Sequence, residues 1–93
     1  FYRCDNITNI ILNEGITTIG YNAFYLCTGL TEIVIPSTIT SLGSNAFDQC
    51  TCLTKICFAG TIEQWNAIAK GSNWNNNVPA TKIICSNGNV SLS

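Results

Sequence analysis

Along residues 30–36, LTEIVIP, apolar Ile33 and Ile35 alternate with Glu32 and Val34. That period of two predicts a strand with one buried face. Pro36 lacks a backbone donor and ends it. Apolar side chains return at Ile39 and Leu42, Gly43 permits a turn, and Asn45-Ala46-Phe47 begins a short helical or 3₁₀ turn that carries Phe47 and Cys50 inward. The pattern then repeats. NAFYLCTGL at 22–30 returns as NAFDQCTCL at 45–53. A shift of 23 residues aligns Phe1, Phe24 and Phe47, then Cys4, Cys27 and Cys50, then Ile10, Ile33 and Ile56, and then Ile19, Leu42 and Trp65. A single coil of this kind cannot cover its own apolar side, whereas stacked coils cover one another. The expected architecture is a solenoid: parallel strands about 4.8 Å apart, with like side chains in columns through one core.

Past Phe58 the pattern changes. Thr61-Ile62-Glu63-Gln64 reads as a capping box opening a helix. Ile62, Trp65, Ile68 and Ala69 would share its buried face, and Gly71 would follow as the residue after its C-terminus. Such a helix lays Trp65 over the open end of the last coil, which otherwise exposes apolar surface and an unpaired strand edge. TKIIC (81–85) is expected to add a parallel strand beside KICF (55–58). SNGNVSLS (86–93) has no periodicity and reads as tail or linker.

The consensus L-x-x-I-x-I-P-x-x-I-T-x-[IL]-G-x-N-A-F-x-x-C, followed by residues 7–58, resembles the BspA-like leucine-rich repeats of bacterial and some protist surface proteins. Residues 60–75 and 79–88 resemble the closing unit that follows such repeats. Asn13 and Ala59 depart from the pattern where Pro36 stands, and Cys52 replaces a small residue. The resemblance implies a leucine-rich-repeat solenoid with short 3₁₀ or β elements on its convex side. Its divisions are the end of an upstream repeat (1–6), repeats at 7–29 and 30–52, a last repeat strand (53–59), a cap (60–86) and a tail (87–93). Because Phe1–Cys4 match the end of a copy, more repeats are expected before Phe1. It also implies a non-catalytic adhesion or protein-binding role, outside the cell or on its surface, with host matrix proteins or other cell-surface proteins as partners. Its rivals are a stalk or spacer, and an accessory glycan-binding module of a larger enzyme.

Composition narrows the chemistry. The 93 residues suit one small domain, and with 46% hydrophobic and 10% charged residues the chain must bury a core. Net charge is −1, and the basic residues Arg3, Lys55, Lys70 and Lys82 are scattered, so no nucleic-acid-binding face is expected. No apolar run reaches the about 18 residues of a membrane span. Without histidine, His-based triads and imidazole ligands are excluded. The acids Asp5, Glu14, Glu32, Asp48 and Glu63 fall in separate columns or elements, leaving no close carboxylate pair for glycoside hydrolysis. No enzymatic activity and no cofactor are expected.

The six cysteines admit several readings. Cys4, Cys27 and Cys50 share one inward column, where thiols pack as small hydrophobes. Cys57 should face outward and Cys85 inward. A bridge among Cys52, Cys57 and Cys85 is the second reading, and a four-sulfur zinc site of Cys50, Cys52, Cys57 and Cys85 the third, although the spacing lacks the usual C-x2-C pair.

The outward strand face carries the candidate site. Its columns are Thr8/Thr31/Thr54, then Asn9/Glu32/Lys55 with Glu32 and Lys55 as an ion pair, then Ile11/Val34/Cys57 continuing to Ile84. An exposed apolar row marks a contact surface; β-propensity alone is the competing account. Asn9, Ile11, Glu32, Val34, Lys55 and Cys57 are therefore candidate protein-binding residues. Trp74 is either part of the lid or an exposed sugar platform. Asn6-Ile7-Thr8 and Asn89-Val90-Ser91 are glycosylation sequons, relevant only in a eukaryotic secretory host.

Overall fold

Each coil contributes one alternating strand to a common sheet, and the strands stack in the register that the repeat predicts. The computed structural model describes residues 6–92. The expectations for Phe1, Arg3, Cys4 and Asp5 lie outside the described residues. Strands β1 (Asn9–Ile11), β3 (Glu32–Ile35), β5 (Lys55–Phe58) and β7 (Lys82–Cys85) run parallel. Ile10 pairs with Ile33, Ile33 with Ile56, and Ile56 with Ile83. The strand edges carry a second regular feature: Thr31 donates through both its amide and its hydroxyl to the carbonyl of Thr8.

A narrower sheet forms where the chain turns back. β2 (Thr18–Ile19), β4 (Ser41–Leu42) and β6 (Ala69–Lys70) pair in parallel, in that order. Between each short strand and the next long one, where a short helical or 3₁₀ turn is expected, the chain makes a series of turns. The reason is visible in the hydrogen bonds. Amides of Ala23, Tyr25 and Cys27 donate three residues back, whereas those of Asn22, Phe24 and Leu26 donate to Ser44, Ala46 and Asp48 of the next coil. A 3₁₀ helix would direct every amide inward along itself and leave the coils unjoined. Alternation requires left-handed backbone at Asn22 and Leu26, and again at Asn45 and Gln49, with φ of 58°, 62°, 60° and 65°. Asparagine tolerates that region better than most residues; leucine at 26 does not, and stays there because both neighbouring amides are satisfied.

The core lies between these walls. Leu30, Ile33, Ile35, Phe47, Cys50, Leu53, Ile56 and Ile83 have no exposed surface. Phe24 and Phe47 stack with ring centroids 5.2 Å apart and planes 3° from parallel, the column that the 23-residue shift predicts.

The closing unit departs from expectation in three ways. The capping box is present, with Gln64 N–H donating to Thr61 Oγ1 at 3.1 Å and Thr61 N–H to Gln64 Oε1 at 2.8 Å. Helix α1, however, spans only Ile62–Asn66 and ends at Ala67. Ala69, expected on its buried face, is exposed in β6, and Gly71 is no helix-ending residue. The chain leaves the helix early because Ala69 and Gly71 amides bond to Thr40 and Leu42 of the preceding coil. Secondly, residues 71–77 form a further turn segment: amides of Asn45, Phe47 and Gln49 donate to Ser72, Trp74 and Asn76. Thirdly, Gly88–Ser91, read as tail, is a strand, β8, antiparallel to β7, with Val90 opposite Ile83 and half-buried. The last coil is thereby closed by a hairpin, and the five-stranded sheet has the order β1-β3-β5-β7-β8.

Candidate protein-binding face

Because side chains alternate across a strand, burying Ile10, Ile33, Ile56 and Ile83 turns their neighbours outward. Asn9, Glu32, Lys55 and Lys82 form one outward row, and Ile11, Val34, Cys57 and Ile84 the other. The Lys55 Nζ lies 3.7 Å from Glu32 Oε2, and the two side chains are 53% and 38% exposed. Such a pair is screened by water and contributes well under about 1 kcal/mol. Its value lies in charge placement.

The apolar row is uneven. Ile11 is 78% exposed, whereas Val34, Cys57 and Ile84 are half-buried by flanking side chains. Among the described residues β1 is the first strand of the sheet, and Ile11 has a paired neighbour, Val34, on one side. The face is thus regular and weakly apolar. A notch of about 200 Å³ is lined by Ser37, Ile39, Thr40, Gln64, Ala67 and Ile68 where α1 leaves the coil. That is smaller than the usual small-molecule site of about 300 Å³ or more.

Trp74 is not exposed as a sugar platform would be. It is 9% exposed and packs edge-on against Phe47 at 6.3 Å and Trp65 at 5.6 Å. Trp65 in turn meets Phe58 edge-on at 5.5 Å. These four rings fill the end of the core. The lid reading stands.

The thiols divide between core and surface. Cys27 and Cys50 are buried in their column, and Cys50 Sγ donates to the carbonyl of Phe24 at 3.0 Å. Burial above all pushes the Cys50 thiol up to about 12, against a backbone hydrogen bond at Cys27 that lowers it, and leaves it inert at neutral pH. Burial likewise raises the Cys85 thiol. Cys52 is exposed and Cys57 half-buried on the outer face. Cys27, Cys50, Cys52, Cys57 and Cys85 are all free thiols, so the bridge among Cys52, Cys57 and Cys85 is not formed. Among the described residues no group of three or more His, Cys, Asp or Glu side chains is placed to hold a metal ion.

The remaining charged groups act locally. Lys70 lies over the Trp65 ring, 4.8 Å from its centroid, and donates to the carbonyls of Trp65 and Ile68. It thus satisfies the end of α1, and partial burial lowers its pKa. Asn87, in the β7–β8 turn, accepts from Ile62 N–H at 2.9 Å and donates to Glu63 Oε1 at 3.3 Å. Its own backbone amide first, then Asn87, hold the Glu63 carboxyl below its ordinary value of 4.5. Asn87 therefore ties the hairpin to the helix, a role sequence reasoning missed. Residues read as tail carry no periodicity, and a tie between positions 24 apart leaves no local signal.

The stacked parallel strands, 23-residue spacing and outward grid define a leucine-rich-repeat solenoid. Residues 1–87 match the family described as BspA type leucine rich repeat region, and the chain belongs to that family. No curated protein and no solved structure matches it. No helix among the described residues is long and apolar enough to cross a membrane.

Proposed function

We propose that this domain is a non-catalytic protein-binding module of a secreted or cell-surface protein, acting in adhesion. The observation that carries this reading is the outward sheet face, where Ile11, Val34, Cys57 and Ile84 make a continuous apolar row beside the polar row of Asn9, Glu32, Lys55 and Lys82. A regular strand grid suits recognition of another protein surface, with the apolar row supplying contact area and the charged row orientation. Family membership supports a repeat module of this kind. Host matrix proteins and neighbouring cell-surface proteins are the partners proposed.

The test is the double substitution Ile11→Glu and Val34→Glu. Both side chains point away from the core, so circular dichroism and melting temperature should stay close to those of the parent. Retention on immobilised extracellular-matrix proteins should fall sharply. A stalk or spacer whose outer domains do the binding predicts unchanged retention, and that result would refute the adhesin reading.

A further inference from the structure

The outward face has an order that bears on what it binds. From β1 to β7 the charged row runs Asn9, Glu32, Lys55, Lys82, and the apolar row runs Ile11, Val34, Cys57, Ile84. Two copies placed face to face about a twofold axis in the interface plane meet in one of two ways. With the axis across the strands, each charged row lies against the other copy's apolar row, burying charge against hydrocarbon. With the axis along the strands, each row meets itself in reverse. Glu32 then faces Lys55 of the second copy, and Lys55 faces its Glu32. Asn9 faces Lys82, Ile11 faces Ile84, and Val34 faces Cys57. Every charged group finds an opposite or neutral partner, and the apolar rows cover each other. Self-complementarity of this kind is what an isologous twofold contact requires.

We propose that the outer face of the five-stranded sheet binds a second copy of this chain in that arrangement, which makes the module homophilic. The inference rests on the protein-binding reading above and adds a second copy of the chain to the partners of that face. Four strands at the usual spacing present roughly 250 Å² per copy, well below the roughly 800 Å² per partner of a standard interface. The contact is therefore weak and reversible between single modules, and gains strength where several are tethered together. The opposed charges set register, and the apolar row supplies most of the contact area.

Sedimentation equilibrium at rising concentration of the reduced chain tests this with the parent, Glu32→Lys, Lys55→Glu and an equimolar mixture of the two variants. The parent should show an average mass that rises with concentration. Each variant alone sets like charges opposite one another across the axis and should associate about tenfold more weakly, the size expected when two exposed pairs are reversed. In the mixture, the cation at position 32 of one chain meets the carboxylate at position 55 of the other, and Lys55 of the first meets Glu32 of the second, so association should return. A parent that stays monomeric throughout overturns the proposal. So does association as strong as the parent's in either variant alone, or a mixture that does not recover. A Cys57–Cys57 cross-linked dimer also overturns it, because that places β5 opposite β5. Failure here, with matrix retention still lost in the Ile11→Glu and Val34→Glu protein, removes the homophilic contact alone. Loss of both readings would show in unchanged retention.

Discussion

Two halves of this solenoid solve the same packing problem differently. In residues 7–59, coils of equal length put like on like: Phe24 over Phe47, Cys27 over Cys50, Leu30 over Leu53. In residues 60–92 the coil takes in a short helix, and its core is filled by Trp65 and Trp74 at angles to each other and to Phe47 and Phe58. The backbone bonds between coils nevertheless continue unchanged: Asn22, Phe24 and Leu26 donate forward in one pair of coils, and Asn45, Phe47 and Gln49 in the next. The invariant of this fold is therefore the hydrogen-bond ladder between coils, and side-chain identity in a column is one way among several of filling the space it encloses.

That distinction can be broken most forcefully at Phe47, which is fully buried between Phe24 of the regular half and Trp74 of the closing half. Phe47→Ala removes both contacts and is expected to cost about 3–5 kcal/mol in denaturant unfolding. A loss below about 1 kcal/mol would mean that the two halves are not packed through this ring.

The ladder itself is tested at its glycines. A Cβ on Gly43 would lie 2.5 Å from the Tyr21 amide nitrogen, and one on Gly71 would collide with the Ser44 amide nitrogen. Neither glycine has a positive φ, so close approach of the coils, and not a turn, requires them. At Gly20 nothing lies within 4 Å. Gly43→Ala and Gly71→Ala should each lower stability by about 1–3 kcal/mol, and Gly20→Ala should leave it unchanged or raise it by up to about 1 kcal/mol. Equal effects at all three positions would contradict the close approach.

The smallest effects belong to the helix in the closing half. Thr61→Ala removes the acceptor for Gln64 N–H and should cost about 1 kcal/mol. Glu63 also makes this region acid-sensitive. Its folded pKa is lowered, so its contribution is present above the ordinary value of 4.5 and is lost as pH falls through the lower folded value. Asn87→Ala takes away one cause of the lowering. The slope of stability with pH below 4.5 should flatten in that variant, as measured by urea unfolding at stepped pH. An unchanged slope would assign the effect to Glu63's own amide.

Much of the molecule was legible before any coordinates. Alternation at 30–36 and the 23-residue recurrence gave the parallel sheet, its register and the inward column of Phe24 and Phe47, because identical residues at identical spacing have a single way to stack. The outward rows followed from the same alternation. The further turn segment was signalled too, by Gly43-Ser44-Asn45 returning as Gly71-Ser72-Asn73. It stands outside the 23-residue spacing, since the inserted helix lengthens that coil.

Other features were decided by contacts distant in sequence. β8 exists because β7 offers it a free edge, and its polar residues have no pattern that would show this. Trp74 could equally have faced solvent until Phe47 and Trp65 enclosed it. Helix α1 is short because strands of the preceding coil compete for its amides. The sequence alone determined the repeating unit and the direction in which its side chains point, since both depend on local periodicity. Tertiary structure decided how the stack ends, because a terminal coil finds its partners wherever open edges and uncovered apolar surface remain.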